Sequence, residues 1–293
     1  MLYLSSSAIE KNHITDILKI CAEHGIKYIE LSGGTKYYEK IWDDLIWWKN
    51  QSRLIYSCHA YFPPPPQDFV INLASCNDKI YHQSLQHYFN CIERLASLNC
   101  QFLSIHAGFL IEVNVAQIGK EITADIIYDE KKAIDRFCCA YRAIVKKAHK
   151  HQIRVYLENN VLDKNNYKRF QNHNYFLMTD STSIKKLKQE LDFDLLLDLG
   201  HLFVSCHTLL LDYQKEVTNL ERFVQWLHIS NNNGITDEHK ILTPQSPVLH
   251  AFLYLLRPEL NVTLEVKDSI EMVIKNYKWI NSLITETTGR KDG

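Results

Sequence analysis

The sequence predicts an α/β chain folded as a single (β/α)8 barrel, and three observations point there. Short apolar runs rich in β-branched residues alternate with longer segments of helical period, with no break in composition along the chain. The length of 293 residues suits one barrel of about 250 residues plus loop insertions. The only double glycine, Gly33-Gly34, fits neither GxGxxG nor GxxxxGK, so the phosphate loop expected of an open nucleotide-binding sheet is missing.

Taken in order, Leu2–Leu4 reads as the first strand, followed by a helix over Ile14–His24 that Gly25 stops. Tyr28–Leu31 is the second strand and Tyr38–Lys49 its helix; Leu54–Ser57 is the third, with a long amphipathic helix at Tyr81–Leu98. Phe102–Ile105 is the fourth strand, and Glu130–Lys150 its helix. Arg154–Leu157 and Leu195–Leu197 are the fifth and sixth strands, separated by a helix around Ser183–Glu190. Trp226–Ile229 is the seventh strand and Pro247–Leu256 its helix, then Val262–Leu264 the eighth strand and Ser269–Ile284 the last helix. Two stretches exceed an ordinary connection: Ala60–Cys76, carrying Pro63–Pro66, and Gly108–Tyr128. They are read as long loops after strands three and four, where barrels place substrate contacts. One domain is expected over 1–293, with its core from about Leu2 to Ile284.

Composition narrows the function. Hydrophobic residues make up 46% and charged residues 23%, a globular balance that excludes wholesale disorder, a collagen-like fibre and a coiled coil. Lys and Arg number 33 against 34 Asp and Glu, so no global basic field attracts nucleic acid or anionic lipid. No apolar run reaches the roughly 20 residues that cross a bilayer. The opening MLYLSSSAIEKNH lacks a basic segment ahead of an apolar one and reads as a strand, not a signal peptide. Eight cysteines without a CxxC pair read as reduced core residues, which points to the cytoplasm. Tyr37, Tyr38, Trp42, Trp47 and Trp48 are read as helix–sheet packing or a homo-oligomer face.

Position carries the chemistry. In a barrel, the residue just after each strand points into the mouth. Those positions hold His59, His106, Glu158, Asp198, His228 and Glu265. The motifs DLGH and TDEH add His201, Asp237 and His239. A carboxylate buried at the end of an apolar strand is costly unless paired, and a cation is the simplest partner, with Lys267 an alternative. Nine mixed nitrogen and oxygen donors favour zinc or manganese, with cobalt, iron or magnesium as further candidates, and one to three ions per chain. Asn159, Asn160, Asn231 and Lys267 flank the donors and are expected substrate contacts; loop capping is an equal reading for the asparagines. The remaining histidines, among them His82, His87, His149 and His151, are expected to be solvated or structural.

These motifs resemble the xylose isomerase-like TIM-barrel superfamily, which includes sugar isomerases, sugar epimerases and endonuclease IV. The resemblance rests on HAYFPPP from His59, SIHAG around His106, LENN around Glu158, LLLDLGH ending at His201, HISNNNGITDEH from His228 to His239, and TLE at Glu265. Likeness to the epimerases implies one ion held by Glu158, Asp198, His228 and Glu265, with the two glutamates as acid and base. Likeness to endonuclease IV implies three zinc sites: His59, His106 and Glu158; Glu158, Asp198, His228 and Glu265; His201, Asp237 and His239. Both patterns are departed from. The first strand reads LYLSSS where the endonuclease has a His, ELSGGTKYYEK carries no Arg-rich insertion, and Asn231-Asn232-Asn233-Gly234 stands where the epimerases place an Arg.

The expected function is therefore a metal-dependent sugar or sugar-phosphate isomerase or epimerase. A metal-stabilised enediolate would exchange its proton with Glu158 and Glu265. The alternative is an endonuclease IV-like phosphoesterase acting on abasic DNA or a small phosphate ester. The expected partner is a small carbohydrate or phosphate ester. A homo-oligomer stays open, a membrane is not expected, and nucleic acid is the lesser choice.

Overall fold

The computed structural model describes residues 1–117, 122–123 and 126–289. Eight parallel strands pair in sequence order and close into a barrel: β1 (Leu2–Ser5), β2 (Tyr28–Leu31), β3 (Ile55–Cys58), β4 (Phe102–His106), β5 (Arg154–Glu158), β6 (Asp194–Asp198), β7 (Val224–Ile229) and β8 (Asn261–Leu264). Closure is made by β1 against β8, with Leu2 opposite Val262 and Leu4 opposite Leu264. The strands are buried nearly end to end, as parallel strands covered by crossover helices must be.

Ten α-helices cover the barrel among the described residues: α1 (Ile14–Glu23), α2 (Ile41–Ser52), α3 (Asp78–Ser97), α4 (Glu130–Lys150), α5 (Lys164–Arg169), α6 (Ser181–Glu190), α7 (Leu199–Leu209), α8 (Tyr213–Leu220), α9 (Pro247–Leu255) and α10 (Ile270–Thr288). The predicted alternation is what the chain forms, with local differences. The helix expected at Tyr38–Lys49 lies about a turn later, because Ile41 and Leu45 are its buried residues and left-handed Arg53 (φ 53°) closes it. The helix expected from Tyr81 starts at Asp78, where the Asn77 side chain accepts from the Lys79 amide. Helix α7 follows β6 with no loop, and α8 then leads back to β7. Residues 59–77 join β3 to α3 and 107–129 join β4 to α4. Of the second stretch, 118–121 and 124–125 lie outside the described residues, as do 290–293 at the end of the expected domain.

Strand periodicity organises the interior. Tyr156 and Glu158, Leu196 and Asp198, and Trp226 and His228 are each two residues apart, so each pair shares a face of its strand. At the strand starts this face builds a separate core of Tyr3, Tyr156, Leu196 and Trp226, with Met1, Tyr28 and Phe102 against it. The Trp226 ring centroid lies 4.9 Å from Tyr3 and 5.4 Å from Tyr156. The larger core, between strands and helices, takes the opposite faces. Six of the eight cysteines are buried and all eight are free thiols. Trp42 packs edge-on to Phe62, whereas Trp47 and Tyr37 stand in solvent. No helix among the described residues is long and apolar enough to cross a membrane.

Trp226 is 1% exposed, so Trp226→Ala should cost about 3–5 kcal/mol of stability, the usual range for an aromatic cavity. Urea unfolding followed by far-UV circular dichroism should show one transition moved to lower urea. Two separated transitions would contradict one cooperative barrel.

Candidate metal centre

The strand ends, α7 and the loop after β7 together bring all nine predicted donors to one mouth. Pairing sets His106 opposite Glu158 and Asp198 opposite His228, so these donors of neighbouring strands stand at the same height. Three groups result, each with its candidate ligand atoms within 4.8 Å of one another: His59, His106 and Glu158; Glu158, Asp198, His228 and Glu265; His201, Asp237 and His239. Glu158 belongs to two of them.

Backbone and neighbouring side chains hold the donors in place. His59 follows β3 directly and sets Nε2 2.5 Å from Glu158 Oε2. Asp198 ends β6 and also caps α7: its Oδ1 accepts from the His201 amide at 2.7 Å, leaving Oδ2 buried without a partner. His201 directs Nε2 to Asp237 Oδ2 at 3.2 Å, and the same oxygen lies 2.9 Å from His239 Nε2. The TDEH turn is braced by Asn232, whose Oδ1 accepts from the amides of Glu238 and His239 at 2.6 and 3.1 Å. Gly200 lets α7 approach this turn, since a Cβ there would lie 2.7 Å from Asn232 Nδ2 and from Ser230 Oγ. Glu265 Oε1 accepts from Ser7 Oγ at 3.1 Å and from Ser5 Oγ at 3.4 Å, and Oε2 lies 3.2 Å from His228 Nδ1. The serines of LYLSSS thus support a candidate ligand from the first strand.

Burial and charge oppose one another here. Burial pushes the Glu158 carboxyl up, and His106, His59 and His228 more than reverse this, leaving it well below the ordinary carboxylate range. Burial likewise raises Asp198, to about 6, with Glu158 adding to the rise. For His239 burial disfavours the charged ring, yet contact with Asp237 lifts it to about 9. His201 and His228 also rise well above the usual imidazole value despite burial, chiefly through Asp198 and Asp237 for the first and Glu30 and Glu158 for the second. Within the four-donor group, Glu158 Oε1, Asp198 Oδ2 and His228 Nδ1 are buried with no hydrogen-bond partner. Orphaned polar atoms of this kind cost about 1–3 kcal/mol each. Their nitrogen and oxygen donor set fits a divalent cation.

A cavity of about 360 Å³ opens over these groups. His59, His106, His201, Asp237, His239 and Glu265 form its polar side; Glu158, Asp198 and His228 do not reach it. Tyr61, Val70, Ile71, Phe109, Val113 and Phe176 also line it. Lys267 is the one lysine or arginine among its described lining residues. A hollow of 430 Å³ beside Tyr81 and Arg136 is lined by none of the nine donors.

The expected substrate contacts divide. Lys267 and Asn160 line the cavity, but the Asn160 amide donates to the carbonyls of Ala107, Gly108 and Leu177. Asn159 is engaged at both ends with the Asp198 backbone. Asn231 forms a backbone bridge with Lys240. The asparagines at 159 and 160 therefore brace backbone. Sequence reasoning passed over Glu30, inside β2, whose Oε1 is 2.9 Å from His228 Nε2. Its signal was a carboxylate in the middle of the otherwise apolar YIEL. His87, expected to be solvated or structural, is a half-buried ring against Phe69 and Tyr88 that burial lowers to about 4.

Residues 18–259 match the sequence profile of the xylose isomerase-like TIM barrel. The chain belongs to this family. In fold, this family member is similar to a D-tagatose 3-epimerase-like protein, at 18% identity over 97% of this chain and 98% of that one, with a TM-score of 0.71. It is similar to the IOLI protein "with a binding zinc atom", at 13% identity over 99% of each chain and a TM-score of 0.70. It is also similar to endonuclease IV from Thermus thermophilus, at 11% identity over 98% of each chain and a TM-score of 0.60. At these identities the likeness is one of fold. No curated protein sequence matches the chain at a significant level.

Because ligation needs a neutral imidazole and His239 sits at about 9, zinc uptake by metal-free protein at pH 7.5 should release protons. Apparent affinity should rise with pH until that ring is neutral in the free protein. Calorimetry in buffers of different ionisation enthalpy measures the release; a heat independent of buffer would contradict it.

Proposed function

We propose that this protein is a multinuclear divalent-metal phosphoesterase acting on a small phosphate ester. The observation that carries the reading is which donors meet the cavity. A single ion needs only the four-donor group, which leaves His59, His106, His201, Asp237 and His239 without an ion to hold although they line the cavity. Those five donors and Glu265 make its polar lining. Glu158, fully buried and common to two groups, suits a shared ligand better than a proton carrier exposed to substrate. The nine positions match those of endonuclease IV in the sequence resemblance, and zinc appears in the printed names of two fold relatives.

Bound ions would supply Lewis acidity to phosphate oxygens and acidify an attacking water. The protein's own residues bind and orient. Lys267 offers an ammonium to the phosphate at the rim. Val70, Phe109, Val113 and Phe176 exclude water and pack the organic part of the ester. Ser5 and Ser7 fix one oxygen of Glu265, so that the other stays directed at His228. The balanced charge of 33 against 34 gives little grip on a nucleic-acid backbone, which favours a small ester over duplex DNA.

The isomerase or epimerase reading is favoured by one observation: Glu265 both lines the cavity and belongs to the four-donor group. There it would take a proton from a substrate carbon, and a single ion would suffice. Metal content and turnover separate the two. Elemental analysis of zinc- or manganese-loaded protein should give close to three ions per chain, and Asp237→Ala with His239→Ala should remove about one. Hydrolysis of p-nitrophenyl phosphate should fall on the order of a hundredfold or more in that variant, since several kcal/mol of charge stabilisation would go. One ion per chain, with epimerisation of a ketose and no phosphate release, would overturn the phosphoesterase.

A further inference from the structure

The two nitrogens of His228 face different surroundings. Nδ1 points into the four-donor group, 3.2 Å from Glu265 Oε2 and 3.4 Å from Glu158 Oε1. Nε2 points away from it, 2.9 Å from Glu30 Oε1. The contact is an ion-pair approach and not a formed hydrogen bond, since Nε2 and Oε1 are both buried with no hydrogen-bond partner among the described residues. Glu30 is 1% exposed, and a carboxylate so placed is costly unless something compensates it. Its second oxygen accepts from the Thr263 hydroxyl at 3.2 Å, and Thr263 Oγ1 in turn accepts from the Trp226 indole at 2.9 Å. Trp226 is wedged among the aromatic rings at the strand starts. A chain of contacts thus runs from the barrel floor to one face of a candidate ligand.

We propose that Glu30 is a positioning residue for the inner ion. It keeps the His228 proton on Nε2, so that the Nδ1 lone pair is free for the metal, while Thr263 and Trp226 fix the carboxylate that does so. A carboxylate behind a ligating imidazole orients the ring and strengthens it as a donor, and losing such a partner weakens metal affinity about 10- to 100-fold. A purely structural role at this site would be met by an apolar side chain of similar volume. The inference rests on the reading that Glu158, Asp198, His228 and Glu265 hold an ion.

The test is zinc binding to wild type, Glu30→Gln, Glu30→Ala and Thr263→Val, by competition with a chromophoric chelator, with the melting temperature of each metal-free protein measured alongside. Expected is a loss of affinity for one zinc equivalent, about tenfold in Gln, which keeps an acceptor but no charge, and up to about a hundredfold in Ala. Thr263→Val should give a smaller loss of the same kind. The other equivalents should bind as in wild type, and cobalt loaded into the variants should show an altered visible band for that one ion. Unchanged zinc affinity in a folded Glu30→Gln protein overturns the proposal. So does a lowered metal-free melting temperature with affinity intact, which is the mark of a structural role. Should Ala fail to fold, Gln and Thr263→Val decide. Wild type that binds no zinc, manganese or cobalt would refute the metal reading itself, and the wild-type titration alone reveals that failure.

Discussion

Concentrated carboxylate charge at the closed mouth of the barrel is the constraint around which the molecule is organised. Glu158, Asp198, Asp237 and Glu265 converge there with five imidazoles, and most of this set is buried. Strand closure makes the convergence unavoidable. Once β1 pairs with β8 and the register is fixed, strand alternation sends Glu158, Asp198 and His228 to the inner face at the mouth while Cys58, Ile229 and Leu264 turn to the outer core. The surrounding hydrogen bonds manage the result: Asn159 ties the ends of β5 and β6, Asn232 shapes the outer turn, and Ser5 and Ser7 restrain Glu265. Each is a neutral donor or acceptor, so none adds to or cancels the charge. Within the protein, cancellation is left to the imidazoles.

Much of this was legible in the sequence because a barrel maps chain position onto space so directly. Knowing where a strand ends is enough to know where His106 or Glu158 points. Legibility failed where that map gives no information. Glu30 lies inside a strand instead of at its end, and only the contact with His228 distinguishes it from a residue misplaced in a core. Helix α7 was missed because nearly every residue from Leu199 to Thr208 is buried, which erases the amphipathic period that marks a surface helix. For Asn159 and Asn160 the sequence leaves substrate contact and loop capping equal, because an amide in a loop and an amide spent on backbone look alike there.

The family's fold admits several chemistries, so the surface offered to a substrate matters more than the ligand inventory. Here the described lining mixes the imidazoles and carboxylates of His59, His106, His201, Asp237, His239 and Glu265 with the apolar Val70, Ile71, Phe109, Val113 and Phe176, and Lys267 is its one lysine or arginine.

The aromatic floor has a consequence for traffic. Tyr3, Tyr156 and Trp226, all 3% exposed or less, close the barrel at the strand starts. On the proposed reading, whatever occupies the inner four-donor group entered through the cavity and must leave by the same route, past the imidazoles of the outer groups. Filling would then be ordered, deepest position first, and emptying would run in reverse. The innermost ion would exchange slowest whatever its equilibrium affinity, held as much by its exit path as by its ligands.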